Sequence, residues 1–420
     1  EESSEILITR GTSQNNLTNS EKNEETLQTS INDSAESEKT FIVETPLYTT
    51  QISSLGGGSF THYSLKNYSG AWVDGGYVDS VEVTLLSKDV GGCAPCVGVS
   101  GMSPDQPENW HCYFPEYIDI ISNVSLEENE SLELECRLAV DNIEIIKTTL
   151  FNGSSFVVNH YIEQQGSERL LQNHWVWDSG INNTEKNLYD DVSYSGVSVS
   201  YNEEIETLSF IPGSLTDTLE NAGSYSGNID WAAIRNKYFI VAMIPESPVG
   251  LATLDGETKQ FTNKKFSPVY GVRLSSAAQS RNMSINTYFG PLDIDNINQL
   301  ETTLDRIMNF GWFVIQPFSR GILWLLKFFH SFGMNYGVVL ILFAFLVRFI
   351  TGPLTKKSFE STQKMQAIQP QLKKLQEKYK NDSQKLNTEM VKMYKENGVN
   401  PLGGCFPMLL QMPLLFALFM

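Results

Sequence analysis

The chain has 420 residues and a formal net charge of −19, which is too long for one ordinary domain. The charge is uneven: residues 1–300 hold 16 Lys/Arg against 42 Asp/Glu, whereas residues 301–420 hold 14 against 7. The acidic front lacks the clustered cations that direct nucleic-acid recognition needs, and the basic, apolar back excludes one soluble domain.

Residues 1–44 are rich in Glu, Ser, Asn and Thr and poor in large apolar side chains. Such a stretch buries too little surface to offset its ordering entropy, so it is expected to be a disordered tether. No start methionine or signal peptide opens the sequence. That suits a processing boundary, with a membrane anchor expected on the N-terminal side.

From residue 45 to about residue 300 short β-type runs alternate with turn residues. Val81–Leu86, Leu132–Val140, Ser155–Tyr161 and Tyr238–Ile244 are predicted strands. Gly56-Gly57-Gly58, Asn152-Gly153 and Ser226-Gly227 are predicted breaks between such runs. The length and the pattern fit one all-β sandwich. Four cysteines fall in this part: Cys93, Cys96, Cys112 and Cys136. Cys93-Ala94-Pro95-Cys96 has a spacing shared by redox motifs, zinc sites and disulfides. Disulfides are the expectation in an oxidising compartment, with at least one bridge joining Cys93 or Cys96 to Cys112 or Cys136. No metal is assigned.

Residues 311–332 form an aromatic-rich helical stretch whose polar side chains, Arg320 and Lys327 among them, fit a stripe of about 120°. Trp312 and several Phe and Leu fill the remainder. Crossing a bilayer would bury both cations, whereas lying in the interface keeps them wet, so an interfacial amphipathic helix is predicted.

Residues 336–355 are long enough to cross a bilayer at 1.5 Å rise per residue. Arg348 is the one charge before the flanking Lys356-Lys357, and stands about 12 Å short of Lys356 along the helix axis. A guanidinium at that depth either snorkels or faces a polar cavity, and the second is expected. Residues 356–399 hold ten Lys and five acids, the composition of a cytoplasmic loop. Residues 1–310 then lie on the opposite, periplasmic side. Met365, Ile368, Leu372, Leu375 and Tyr379 follow helical spacing, as do Leu386, Met390, Met393 and Tyr394, so a coiled-coil hairpin is predicted, kinked at Pro370. Residues 403–420 are uncharged and read as the start of a second core span in which the sequence stops. Gln411 there serves either helix packing or a polar groove, and Pro407 and Pro413 free backbone carbonyls.

No catalytic constellation emerges. Gly56-Gly57-Gly58 lacks the helix and Lys of a phosphate loop, and His62, His111, His160, His174 and His330 are scattered. Neither an enzyme nor a cofactor is expected.

Several blocks resemble the YidC-type membrane protein insertases of the YidC/Oxa/Alb family. They are Asn335-Tyr336-Gly337, Val347-Arg348, Pro353-Leu354-Thr355-Lys356, Met365 with Gln369-Pro370, and Asn400–Pro407 with Gln411-Met412-Pro413. Tyr238-Phe239, Ile244-Pro245 and Tyr288–Pro291 are similar to the periplasmic domain of the Gram-negative branch. The resemblance implies a supersandwich-like periplasmic domain followed by an α-helical membrane bundle, here truncated. It also implies a multi-pass inner-membrane protein that inserts and folds nascent inner-membrane proteins, alone or beside the Sec translocon. Arg348 would be the groove arginine. The hairpin, with Met365, Gln369, Pro370, Lys373 and Lys374, would receive nascent chains and contact the ribosome. Many relatives carry Thr where this chain has Ala344. Two rival functions remain at this level: a membrane-anchored periplasmic carbohydrate-binding protein or enzyme, and a solute channel or transporter.

Overall fold

A computed structural model describes residues 37–73, 76–87, 92–99, 108–117, 122–140, 142–166, 170–210, 220–262, 265–276, 280–308, 315–380, 382–398 and 406–419. The strands in chain order begin with β1 (Thr40–Glu44), β2 (Tyr48–Ser53), β3 (Ser59–Val73), β4 (Gly76–Leu86), β5 (Cys96–Val99) and β6 (His111–Tyr113). They continue as β7 (Asn123–Ser125), β8 (Ser131–Val140), β9 (Ile143–Asn152), β10 (Val157–Gly166), β11 (Asn173–Trp177) and β12 (Gly196–Tyr201). The last six are β13 (Glu204–Leu208), β14 (Glu220–Arg235), β15 (Phe239–Pro245), β16 (Val249–Thr262), β17 (Lys265–Ser275) and β18 (Asn282–Pro291).

They form a five-stranded sheet, β4-β3-β2-β1-β7, and a 13-stranded sheet in which β15, β18, β10 and β9 are central. Alternation places one face of each inward, as in β8, where Leu132, Leu134 and Cys136 are buried. Aromatic residues hold the sheets together. Tyr63 of β3 stacks on Phe289 of β18 at 4.2 Å and donates its hydroxyl to the Phe289 carbonyl at 2.9 Å. Tyr48 stacks on the other side of Tyr63 at 4.6 Å, and Trp177 meets Phe289 edge-on at 5.1 Å.

The first strand starts at Thr40, ahead of the expected boundary at residue 45. Phe41 and Val43 alternate inward and are buried, so these five residues belong to the sheet and not to a tether. Ser226-Gly227 does not separate strands. It lies within β14, where the register against β16 shifts between Ser226 and Ile229, and Gly227 has φ +148°. A bulge uses the same residue types as a turn. The domain is also not wholly β: α1 (Leu188–Tyr194) packs Leu188 and Val192 inward, and buried Asp191 accepts the backbone N–H groups of Thr184, Glu185 and Lys237.

The disulfides differ from expectation. Cys93 pairs with Cys96, and Cys112 of β6 pairs with Cys136 of β8. Cys112 and Cys136 stand directly opposite in the β6–β8 register, so each already has its nearest partner and neither reaches Cys93 or Cys96.

Beside them lies a cation in the core. Lys147 takes an inward position of β9, opposite Cys136, and is fully buried. Its ammonium donates to the carbonyls of Gly58 (3.2 Å) and Pro95 (3.0 Å) and lies 5.3 Å from the Trp175 ring centroid. The Gly56-Gly57-Gly58 turn arches over it. Gly57 has φ +79°, and a Cβ there would stand 3.3 Å from both Lys147 Cδ and the Trp110 ring, so only glycine fits without a shift.

The sheet domain ends in α2 (Ile294–Asn298) and a 3₁₀ turn (Thr303–Ile307) folded back on the outer face of the large sheet. Ile297 and Leu304 bury against Trp231, Ile240 and Tyr288. Trp231 Nε1 donates to Thr303 Oγ1 at 3.0 Å, and Arg235 donates to the Ile307 carbonyl at 2.8 Å. This clasp fixes where the chain leaves the sheets.

Burial pulls the Lys147 ammonium down to about 7. The unfolded chain keeps that proton up to its ordinary value of 10.5, so it binds more protons than the folded chain between the two. Stability should therefore rise with pH across that window, by about 2 kcal/mol from pH 7 to about pH 9. Denaturant melts at both pH values test this. Lys147→Met should remove most of the slope.

Candidate functional site

Four helices follow. α3 (Gln316–His330) starts with Pro317 in its first turn, where the missing N–H costs nothing. Ile322 is buried with Leu325 and Leu326 against Phe343, Val347, Leu414 and Ala417 of later helices. Ser319, within the polar stripe, is buried and caps back to the Ile315 carbonyl at 3.4 Å. Lys327 does not simply face water. Its ammonium lies 2.5 Å from Asp295 of α2, joining the helix to the end of the sheet domain. Arg320 is exposed, and Trp312 lies outside the described residues. Between the polar and packed faces runs a row of exposed aromatics four residues apart, Trp324, Phe328 and Phe332, with ring contacts of 5.6 and 5.1 Å. Trp324 is 66% exposed. Apolar rings beside a charged edge match a membrane–water interface.

A tight corner leads to the next helix. Gly333 has φ +77°, the His330 ring stacks on Tyr336 at 4.1 Å, and Asn335 accepts the Gly337 N–H at 2.7 Å as N-cap. α4 (Tyr336–Lys378) then runs for 43 residues. The sequence predicted a span and a separate hairpin helix, but one helix passes through both Pro353 and Pro370. Each proline forfeits one intrahelical bond, and the ladder on either side carries the helix past it. At 1.5 Å per residue α4 is about 64 Å long.

Tyr336–Pro353 has mean hydropathy 1.9 and is, among the described residues, the one helical segment long and apolar enough to cross a membrane. Val339 and Phe343 of this segment are buried. Ile341, Phe345, Phe349 and Ile350 stand outward, Phe349 at 82% exposure. Arg348 is nine residues from Val339, about 180° around the helix, and so lies away from α3. It is exposed, as is Ala344 one turn earlier on the same face. Gly352 and Thr355 continue that side.

Beyond the apolar segment, Ile368 and Leu372 are buried against Met390, Met393 and Tyr394 of α5 (Ser383–Glu396), with Met365 beside them. The turn between is closed by Asp382, which caps α5 by accepting the Lys385 N–H at 3.1 Å. Gln369, Pro370, Lys373 and Lys374 all face solvent. α6 (Phe406–Phe419) places Ala417 and Leu414 in the cluster with α3 and α4, leaves Gln411 exposed and contains Pro413. Cys405 lies outside the described residues.

The structure thus brings the predicted hairpin residues together, puts Arg348 and Ala344 on one uncovered face, and leaves Gln411 exposed on α6. The sequence reading missed Asp295 as the partner of Lys327. Its signal was the Asp293-Ile294-Asp295 cap directly after the last strand. Among the described residues no group of three or more His, Cys, Asp or Glu is placed to hold a metal.

Residues 40–325 match the YidC periplasmic domain family, and residues 328–420 match the 60Kd inner membrane protein family. The chain is 38% identical over 320 residues to the membrane protein insertase YidC of Chlorobium phaeovibrioides, covering 72% of this chain and 52% of that one. It is 32% identical over 395 residues to the YidC of Chlorobaculum tepidum, covering 91% and 64%. The chain spans about half the length of most of the curated relatives it matches. Among solved structures, the Slr1438 protein of Synechocystis sp. PCC 6803 aligns with a TM-score of 0.34 at 8% identity, covering 60% of this chain and 95% of that one.

The hairpin depends on few side chains. Leu372→Ala should cost about 2 kcal/mol of local packing. Hydrogen exchange should then speed up across α5 while the apolar half of α4 keeps its protection.

Proposed function

The chain belongs to the YidC membrane protein insertase family, and from that premise we propose that it inserts and folds inner-membrane proteins through a polar groove built around Arg348. One observation carries the proposal: a guanidinium sits within the apolar segment of α4, on a face that the neighbouring described helices leave uncovered. Arginine at the centre of a bilayer costs roughly 2.5–3.5 kcal/mol in hydrocarbon, so its face requires water or further protein. The relatives extend well beyond this chain, and their additional length supplies protein that could form the far wall.

A hydrated, cationic recess lowers the cost of bringing a polar or acidic flank of a client into the membrane. No bond is made or broken and no cofactor is consumed. The client leaves sideways once its helix is better solvated by lipid than by the groove. Ala344 and Gln411 line the same recess in this scheme.

The remaining parts take places set by the span. Residues 1–310 are periplasmic and residues 356–399 cytoplasmic, since the segment after the span is rich in lysine. α3 lies in the outer interface with its aromatic row among lipid headgroups. The hairpin, with Lys373 and Lys374 toward solvent, meets the ribosome and the emerging chain, and the Sec translocon is the companion for larger clients. The family matches favour insertion over the carbohydrate-binding and transporter functions.

The test is insertion of a small client in cells or proteoliposomes, using the full-length protein. Arg348→Ala should lower insertion about tenfold with the protein still folded and abundant, while Arg348→Lys keeps most activity because charge is retained. Unchanged insertion with Ala would leave Arg348 as a snorkelling residue and remove the groove.

A further inference from the structure

We propose that Cys93 and Cys96 form a thiol–disulfide exchange site for polypeptide dithiols, entered through the cleft at Cys96. That cleft has a volume of ≈ 270 Å³ and is lined by Gly92, Cys96, Ser179, Ser59, Phe60 and Leu55. The proposal stands apart from the insertion function.

The Cys93–Cys96 disulfide is dispensable as a brace. Cys93 O accepts from Asp178 N (3.0 Å) and Ser179 Oγ (3.2 Å). Ala94 N donates to Ser59 Oγ (2.9 Å), and Ala94 O accepts from Phe60 N (2.6 Å). Pro95 O accepts from Lys147 (3.0 Å). Five hydrogen bonds hold the loop whether or not the sulfurs are joined. A bridge across three residues also closes a very short loop and removes little chain entropy. The second disulfide has a different setting: Cys112–Cys136 ties β6 to β8 within the sheet.

The Asp178 carboxylate accepts the Cys93 N–H and is half-buried. Burial raises its carboxyl above the ordinary value, while the Cys93 N–H, Lys259 and Arg273 pull the other way. The Asp255 carboxyl is raised in turn, by burial and then by Asp178. A carboxyl shifted toward protonation and bonded to the Cys93 backbone is placed to serve a departing thiolate. Below about pH 7 the Lys147 ammonium, bonded to Pro95 O next to Cys96, favours thiolate.

The exchange balances as follows. A client thiolate attacks Cys96 Sγ; the new S–S bond forms as the Cys93–Cys96 bond breaks, and Cys93 leaves as a thiolate that takes a proton. The second client thiolate then attacks the client sulfur of the mixed disulfide and releases Cys96. The client loses two electrons and two protons, and the CxxC pair gains both. Another protein disulfide in the same compartment restores the site by the reverse steps.

The experiment uses the full-length protein in detergent, a glutathione buffer, and a reduced model peptide bearing two cysteines. Alkylation and peptide mapping should show Cys93 and Cys96 opening while Cys112 and Cys136 stay closed, with near-UV circular dichroism unchanged. The peptide should be oxidised mole for mole, and in Cys93→Ser the free Cys96 thiolate, offered the oxidised peptide, should open its disulfide and hold it as a mixed disulfide that no second site thiol resolves. Asp178→Asn should slow exchange on the order of a hundredfold and flatten the rate–pH profile. Should that variant not fold, the wild-type profile decides, since Asp178 and Asp255 must shape it. If both disulfides resist until the domain unfolds, or the adduct maps to Cys112 or Cys136, the site is overturned. A rate–pH profile set by the peptide thiol's own ionisation alone would overturn the part assigned to Asp178.

Discussion

A charged group that leaves water must find hydrogen bonds, an opposite charge or a polar cavity, and the helical half of this chain is ordered by that requirement. Lys327 finds Asp295. The lysines of the hairpin keep to solvent. Arg348 stands within an apolar segment on an uncovered face, and among the cations of that half it depends most on what surrounds the helix. The aromatic row of α3 follows the same logic from the other side, because rings beside a charged edge suit a boundary where one half is wet.

The sheet domain solves a comparable problem internally. Lys147 is enclosed without a carboxylate, and two carbonyls and an aromatic ring take the place of water. Both carbonyls belong to loops, so the cation fastens the glycine turn and the CxxC segment to β9 at one point. The stacking of Tyr48, Tyr63 and Phe289 crosses the same interior and fastens the small sheet to the large one. At the far end the clasp of α2 on Trp231 delivers Asp295 to α3, so packing in the sheets and placement of the interfacial helix are one continuous arrangement.

Features written in local periodicity were legible in the sequence. The stripe Met365, Ile368, Leu372 against Met390, Met393 and Tyr394 needs only helical spacing, and the apolar segment of α4 needs only length. β8 announced itself by alternating apolar and polar side chains, and β15 by a β-branched and aromatic run. What depends on distant partners was not legible. Lys147 looks like a surface residue until the pairing of β9 with β8 and β10 turns it inward. The cysteine pairs were misjudged because strand register, which no local pattern reveals, sets Cys112 opposite Cys136. The span and the first hairpin helix were drawn apart, yet one helix carries both past Pro353, because a long helix tolerates one lost bond. The proposed groove rests on relations between helices, which no local pattern reveals.

The unbroken course of α4 has a mechanical meaning. Its apolar segment ends near Pro353, and the remaining residues reach about 37 Å farther as one stiff rod. A rocking of the span by about 10°, modest beside the usual tilt of membrane helices, swings the far tip through about 6 Å. A partner that pushes on the hairpin therefore acts through a lever whose fulcrum is the bilayer, and reorients the residues around Arg348 without touching them.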